Sequence, residues 1–154
     1  MLHLIPAPLH RALYRLGHGL RRIFLRHFKG EVHGCCVIGR DGEGRVLLVR
    51  HSYGPAVWAF PGGGMRKDED GEAAALRELH EELRCTLAEP VRLGHLEDMY
   101  LGSRNRVQVF TGLIQGEPRP DMREVVEARF FALDMLPDNT SRTVRDRVHL
   151  LEQR

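Results

Sequence analysis

Three glutamates at helical spacing constrain what this chain can fold into more than any other feature. Glu78, Glu81 and Glu82 follow a glycine-rich turn, in a stretch that is predicted to be helical from about Asp70 onward. Positions i, i+3 and i+4 place all three carboxylates on one helical face. Like charges about 6 Å apart repel by roughly 3 kcal/mol per pair at an effective dielectric near 20. The spacing therefore predicts a bound cation, and oxygen ligands favour a hard divalent ion, Mg²⁺ or Mn²⁺.

The same helix also has a plainer interpretation. Paired glutamates among leucines, with Arg77, His80 and Arg84 nearby, describe an ordinary solvated helix as well. The glycine-rich turn before the helix and the spacing of its residues favour the metal site. An apolar stripe beside the acids predicts burial against a sheet, and it consists of Ala75, Leu76, Leu79 and Leu83.

The pattern extends beyond the three glutamates. Gly63 is followed by five residues, Glu69, seven further residues, and then Arg77, Glu78, Leu79, any residue, Glu81 and Glu82. This order resembles the Nudix box, and residues 58–63 (WAFPGG) are similar to the aromatic lead-in of that family. The box residues span 63–85, and one of them departs from the family pattern.

Arg84 stands where the family usually has a glycine that ends the helix with a positive φ. A non-glycine residue in that conformation costs about 1 kcal/mol. We therefore expect the helix to run on past this position or to end differently.

The resemblance implies the Nudix fold, an α/β (α+β) architecture in which a mixed β-sheet is sandwiched between helices (α/β/α). The chain order agrees with it, because strands, a helix, more strands and a last helix follow one another. We predict strands at 32–38 and 45–51 around an Asp-Gly turn, and then at 91–100, 107–115 and 128–133. Thr140 or Ser141 would cap a last helix that runs to about Glu152.

Residues 1–30 lie outside the resemblance and are predicted to form a separate helix before the domain at 31–154. They carry six Arg or Lys residues and no acid, which leaves 17 basic against 21 acidic residues in the remainder. Apolar residues recur at three- and four-residue intervals over 9–28, which predicts a basic amphipathic helix. We favour docking on the domain or on a second copy in a homodimer. Peripheral contact with anionic lipid and an organelle transit peptide are alternatives, and no nucleic-acid partner is expected.

The amino-acid composition indicates the general class of protein. A chain of 154 residues with 42% hydrophobic and 29% charged residues is typical of one soluble globular domain. Three cysteines, two of them adjacent, provide no disulfide framework and favour a reducing, cytoplasmic setting. We expect no membrane-spanning segment and no signal peptide.

The resemblance implies a hydrolase that cleaves the diphosphate linkage of a nucleoside diphosphate joined to another moiety X. It implies that Glu78, Glu81 and Glu82 hold Mg²⁺, with the backbone carbonyl of Gly62 or Gly63 as a further ligand near the substrate. Glu69 and Arg77 would orient these ligands from behind. Cleavage of adjacent phosphates needs cations, a positioned water and a carboxylate that takes its proton.

Two residues outside the box are also expected at the site. Arg50 ends the second predicted strand, where the family often places a basic residue against the substrate phosphate; a surface arginine is the alternative. Glu124 stands six residues before Phe130, as a loop carboxylate does in many Nudix proteins. A carboxylate from a second direction suits in-line attack on a diphosphate. A solvated loop acid is the alternative, and the rival acids are Asp121, Glu127, Glu97 and Asp98.

Two other functions stay open at this point. A non-hydrolytic enzyme on the same scaffold, such as a diphosphate isomerase, and a nucleotide- or ligand-binding sensor both tend to have a broken box, whereas this one keeps every carboxylate. The identity of X is also open. Four aromatic residues are candidates to stack on a nucleobase, with core packing as the alternative: Tyr53, Trp58, Tyr100 and Phe110.

Overall fold

The structure is a computed structural model that describes Leu9 and residues 31–100 and 103–152. The helix predicted over 1–30 lies outside the described residues, apart from Leu9, and so do residues 153 and 154. Of Asp98 and Tyr100 only the backbone is described. In the described part of the chain no helix is long and apolar enough to cross a membrane.

One mixed sheet forms the centre of the described residues, with the strand order β4-β5-β1-β2-β6 and with β3 paired to β1 off this path. Strands β1 and β5 run parallel, and the other pairings are antiparallel. The strands are β1 (Glu31–Arg40), β2 (Val46–His51), β3 (Gly62–Gly64), β4 (Thr86–Tyr100), β5 (Ser103–Gln115) and β6 (Val125–Phe131).

Two α-helices cover this sheet in the described residues: α1 (Gly71–Leu83) and α2 (Arg142–Val148). Single 3₁₀ turns precede and follow α2, at Leu133–Met135 and His149–Leu151. Asp70 caps α1, since its carboxylate accepts hydrogen bonds from the backbone N–H groups of Glu72 and Ala73 at 3.0 and 3.1 Å. Ser141 caps α2 in the same way.

The core lies on both faces of the sheet. On one face Leu47 and Val49 of β2 pack with Leu79 of α1. On the other face Val46 and Leu48 pack with Val144 of α2 and with Trp58. Alternate residues of β2 therefore face different helices, as the two-residue period of a strand requires. The predicted sandwich and the buried stripe of the first helix are confirmed.

The expectation that Arg84 would change the end of α1 is wrong. The helix ends at Leu83, and Arg84 itself adopts the left-handed conformation with a φ of 57°. Its N–H donates to the carbonyl of His80 at 3.1 Å. The carbonyls of Glu82 and Leu83 accept from the backbone of residues 121 and 119, at 2.9 and 2.7 Å. These bonds fix the end of the helix, so the backbone tolerates the strain that a glycine would avoid.

Several boundaries also differ from the sequence prediction. β4 begins at Thr86 rather than at 91, because Pro90 lies on an edge strand, where a proline is tolerated beside a shift in register. β5 and β6 begin at Ser103 and Val125, a few residues before the predicted 107 and 128. β3 was not predicted, since three glycines give no strand signal. α2 ends at Val148 and tightens into a 3₁₀ turn instead of continuing as one helix.

Replacing Arg84 by glycine should relieve the strain at the end of α1. Arg84→Gly is expected to raise the free energy of unfolding by up to about 1 kcal/mol, since glycine adopts a positive φ without a Cβ clash. Arg84→Ala is the matched control, because it removes the long side chain but keeps the Cβ. Urea denaturation measures both variants. A loss of stability in Arg84→Gly equal to that in Arg84→Ala would contradict the strain argument.

Candidate functional site

The glycine-rich turn lies directly beneath the carboxylates of α1. β3 pairs with β1 so that Gly63 lies opposite Cys35 and Gly62 opposite Cys36. A Cβ on Gly63 would lie 2.6 Å from the carboxylate of Glu78. Gly62 has a φ of +145°, and a Cβ there would clash with the carbonyl oxygen of Cys35. Glycine therefore fits between β1 and the glutamates without displacing the backbone of Cys35 or the side chain of Glu78.

Arg77 holds Glu78 in place. Its Nη1 donates to Glu78 Oε1 at 2.7 Å, and its Nη2 donates to the carbonyl of Gly64 at 3.0 Å. Glu69 fixes the guanidinium from the other side, with bonds of 2.7 Å from Nε and 2.9 Å from Nη2. This hydrogen bonding with Arg77 lowers the pKa of Glu69 to about 2. The pair Glu69–Arg77 thus orients the first carboxylate of the helix.

Glu82 is the buried carboxylate of the set. It is 2% exposed, and its Oε1 lies 3.6 Å from Nε2 of His51. Its Oε2 is buried without a hydrogen-bond partner. Burial raises the pKa of Glu82 to about 7, although the nearby His51 acts in the opposite direction. A buried, unpartnered carboxylate oxygen is costly in a protein interior. A divalent cation would satisfy this oxygen, so the residues present fit a metal ion.

Glu81 pairs with two arginines, one of which also binds Glu78. Its carboxylate lies 3.4 Å from Arg66 and 3.3 Å from Arg77, and its side chain is 51% exposed. Across residues 31–100 and 103–152, no three acidic, histidine or cysteine side chains are gathered around one point that could hold an ion. Binding a cation with all three glutamates therefore requires Glu81 to leave the two arginines.

Glu124 reaches the site from the loop that precedes β6. The carboxylate of Asp121 accepts the backbone N–H groups of residues 123, 124 and 125 at 2.9–3.0 Å, which fixes the loop. Tyr53 donates its hydroxyl to Glu124 Oε1 at 2.8 Å. The charge of Glu124 contributes to raising the pKa values of Glu78 and Glu82, after the larger effect of burial. The loop carboxylate thus lies close to the helix carboxylates.

A cavity of about 600 Å³ joins these groups. Glu78, Glu81 and Glu124 line it beside the glycines of β3. It is also lined by Asn105 of β5 and by Thr143 and Arg147, which belong to α2. Because α2 packs on the opposite face of the sheet from α1, the cavity extends from the carboxylates towards the second helix. Acceptors for a cation and donors for a polar ligand therefore share one space.

Comparison with known proteins agrees with this arrangement. The family model described as NUDIX domain matches residues 31–151. This chain belongs to the Nudix family.

Solved Nudix structures share the fold. The MutT Nudix hydrolase from Burkholderia pseudomallei superposes with a TM-score of 0.70 at 28% identity, over 80% of this chain and 98% of that one. The MutT protein from Methanosarcina mazei Go1 superposes with a TM-score of 0.64 at 23% identity, over 81% of this chain and 93% of that one. At that lower identity the second comparison concerns the fold alone.

The curated relatives match a shorter stretch. An RNA pyrophosphohydrolase from Teredinibacter turnerae is 47% identical over 47 residues, which is 30% of this chain and 28% of that protein. Diphosphoinositol polyphosphate phosphohydrolase 3-alpha from Mus musculus is 44% identical over 48 residues, 31% of this chain and 29% of that protein. The similarity thus spans less than a third of either relative.

The structure does not bring Arg50 to the Nudix carboxylates, contrary to the sequence prediction. Its Nε lies 2.8 Å from Glu127, its guanidinium lies 5.6 Å from the ring of Trp58, and it does not line the cavity. The physical reason is the alternation of β2, which turns Arg50 to the face of α2 and His51 to the face of α1. We therefore do not retain Arg50 as a substrate contact.

Of the other candidate residues, some line the cavity and others contact different parts of the fold. Asp121 holds the loop backbone, Glu127 pairs with arginines, and Glu97 pairs with Arg106 at 3.0 Å. Trp58 and Phe110 are buried in the core, whereas Tyr53 lines the cavity.

Sequence reasoning did not single out His51, Asn105 or Arg147 as residues of the cavity. For His51 a signal was present, because it continues the series of Leu47 and Val49, the β2 residues that face α1. For Asn105 and Arg147 we find no comparable signal.

The close approach of Gly63 to Glu78 predicts a specific defect in metal binding. Gly63→Ala should displace the Glu78 side chain, a flexible group, and so leave the fold intact. It should weaken Mn²⁺ binding about ten-fold or more, as loss of a well-oriented ligand does. Gly42→Ala is the control, because a Cβ at Gly42 would meet nothing within 4 Å. Paramagnetic titration with Mn²⁺ measures both; equal affinities in the two variants would contradict the prediction.

Proposed function

We propose that this protein is a divalent-cation-dependent hydrolase that cleaves the diphosphate linkage of a nucleoside diphosphate joined to another moiety X. The observation that carries the proposal is the convergence of Glu78, Glu81 and Glu124 on one cavity. The unpartnered oxygen of Glu82 is buried in the same helix face. Four carboxylates so close together repel one another, and a bound divalent cation would relieve that repulsion.

The metal ligands would be Glu78, Glu81, Glu82 and the backbone carbonyl of Gly63. When bound, Mg²⁺ or Mn²⁺ would neutralise the charge of two phosphates and favour attack on phosphorus. Arg77 and Glu69 keep Glu78 in the orientation that this requires. Glu81 would give up its pair with Arg66 at little cost, because exposed ion pairs contribute only about 0.2–1 kcal/mol. Arg66 is then released beside the site.

Glu124 faces the helix carboxylates from the loop side. In-line displacement at phosphorus needs groups on more than one side of the reacting centre, and one helix supplies only one side. Glu124 would either take the proton of the attacking water or complete the set of metal ligands. Its loop is held to α1 through the backbone of Asp121 and Glu82, which gives it a defined distance from the helix.

The nature of X depends on another part of the cavity. The names of the curated relatives share only diphosphate chemistry: one is an RNA pyrophosphohydrolase and another a diphosphoinositol polyphosphate phosphohydrolase. Asn105, Thr143 and Arg147 would donate hydrogen bonds to X. A volume of about 600 Å³ suits a small molecule. The intact box favours hydrolysis over isomerisation or ligand sensing.

A panel of nucleoside diphosphate derivatives, with products identified by phosphorus NMR, tests the proposed reaction. The protein is expected to release a nucleotide and a phosphorylated X in the presence of Mg²⁺ or Mn²⁺. Full activity in EDTA would overturn the proposal, and so would release of an isomer without hydrolysis.

Neutralising the helix carboxylates should separate activity from stability. Glu81→Gln and Glu82→Gln are each expected to lower kcat by roughly 100-fold or more, since each removes a metal ligand. In the metal-free protein Glu82→Gln should also raise the melting temperature, because a neutral amide is cheaper to bury than a carboxylate. Glu81→Gln should leave it unchanged, as Glu81 is half-exposed. Calorimetry in EDTA checks this contrast, and a destabilised Glu82→Gln protein would contradict it.

The loop carboxylate has a test of its own. Glu124→Gln should lower kcat about ten-fold or more, with little change in stability, because a loop carboxylate contributes little packing. Glu97→Gln is the control, since Glu97 is exposed and pairs with Arg106 on the sheet. Steady-state kinetics decide between them. An unchanged kcat in Glu124→Gln together with a large loss in Glu97→Gln would move the role to β4.

A further inference from the structure

Three consecutive residues, His51, Ser52 and Tyr53, connect the helix side of the site with the loop that carries Glu124. Ser52 donates its backbone N–H to the carbonyl of Glu124 at 2.8 Å and its hydroxyl to the carbonyl of Arg123 at 2.6 Å. Tyr53 donates to the carboxylate of Glu124 at 2.8 Å. These contacts join positions 71 residues apart in the chain. The two residues that follow β2 therefore bind both the backbone and the side chain of the loop.

The same segment also touches the helix side. The rings of His51 and Tyr53 lie with their centroids 5.1 Å apart at an interplanar angle of 42°. Nε2 of His51 lies 3.6 Å from Oε1 of Glu82. A chain of contacts thus runs from Glu82 through the two rings to Glu124, and both rings line the cavity. The tilted packing against His51 restricts the ring of Tyr53, which in turn aims its hydroxyl.

The backbone of Glu124 is fixed without Tyr53. Asp121 accepts the N–H of Glu124 at 3.0 Å, and Ser52 donates to its carbonyl. What these bonds leave undetermined is the side chain, whose three torsions would otherwise sample several rotamers. The phenol of Tyr53 determines which rotamer faces the cavity. A hydrogen bond to one carboxylate oxygen leaves lone pairs of the other for a water or an ion.

We propose that Tyr53 is a positioning residue that holds the carboxylate of Glu124 towards the glutamates of α1. The proposal rests on the proposed function, because it gives Glu124 its orientation at that same site. It differs from a role of Tyr53 in stacking on a nucleobase. Stacking depends on the ring, whereas positioning depends on the hydroxyl, so Tyr53→Phe separates the two.

A double-mutant cycle tests the coupling between Tyr53 and Glu124. Tyr53→Phe is expected to lower kcat about five-fold or more with KM unchanged, because the missing interaction acts on the reaction step. In a Glu124→Gln background the same change should alter kcat less than about two-fold, since the carboxylate that it positions is absent. An equal loss in both backgrounds would overturn the proposal, and so would an unchanged kcat in Tyr53→Phe.

Ser52→Ala is the matched control. It removes the hydroxyl bond to the loop backbone and leaves the phenol in place. Its kcat should stay within about two-fold of the wild-type value if side-chain orientation is what matters. A loss as large as that of Tyr53→Phe would assign the effect to loop anchoring and overturn the proposal.

A structural readout separates this inference from the proposed function. Crystals of the wild type and of Tyr53→Phe, both soaked in Mn²⁺, should show the same backbone at 121–125. They should differ in the rotamer of Glu124, which turns away from α1 in the variant. An unchanged Glu124 would overturn the positioning role. If the wild type hydrolyses no diphosphate in the panel, the proposed function fails, while the two crystal structures still decide the role of Tyr53.

Discussion

Two backbone hydrogen bonds at the end of α1 determine the geometry of the whole site. The last carbonyls of a helix have no partner within the helix, and here Glu82 and Leu83 obtain theirs from Asp121 and Arg119. The loop that carries Glu124 therefore begins where the glutamate helix ends. Asp121 then folds that loop with its side chain. The distance between the two groups of carboxylates follows from main-chain bonding, which does not depend on any metal.

This arrangement accumulates negative charge, and the cations around it explain how the fold tolerates that charge. Arg77 bonds Glu78 directly, His51 approaches Glu82, and the exposed Arg66 lies near Glu81. Two of these compensations differ in strength. Arg77 contacts both glutamates, but it lies 2.7 Å from the largely buried Glu78 and 3.3 Å from the half-exposed Glu81. Glu78 is thus held more firmly than Glu81, which would suit the proposed binding of an ion by this helix.

The sequence was sufficient to predict α1, its start near Asp70 and its buried stripe, because these depend on neighbours within two turns of helix. It also identified the family, which the match over 31–151 confirms. What failed depends on distant contacts. The end of the helix at Arg84 is fixed by a loop more than thirty residues away. Tyr53 meets Glu124 across 71 positions, and no local pattern indicates that bond.

Arg50 is a different case, since the sequence favours both a substrate contact and a surface arginine at this position. The two-residue period of β2 places Arg50 with Val46 and Leu48, and these residues pack under α2. The family pattern favours a basic residue against the substrate at this strand end, whereas the alternation of β2 favours the surface alternative. Alternation follows from backbone geometry and holds in a regular strand, whereas a family tendency can be lost in one member.

The two ends of the cavity are built by different parts of the chain. This limits how much a short match to a relative indicates about the substrate. The carboxylates come from α1 and one loop, whereas Asn105, Thr143 and Arg147 come from β5 and α2. The curated relatives are similar over 47 or 48 residues only. A segment of this length can contain most of the residues needed for diphosphate cleavage, because one helix and one glycine turn supply most of the proposed metal ligands. A match of this length does not indicate how X is recognised, because the donors that would bind X lie on elements far apart in sequence. Under the proposed function, substrate choice would therefore depend on the wall formed by β5 and α2.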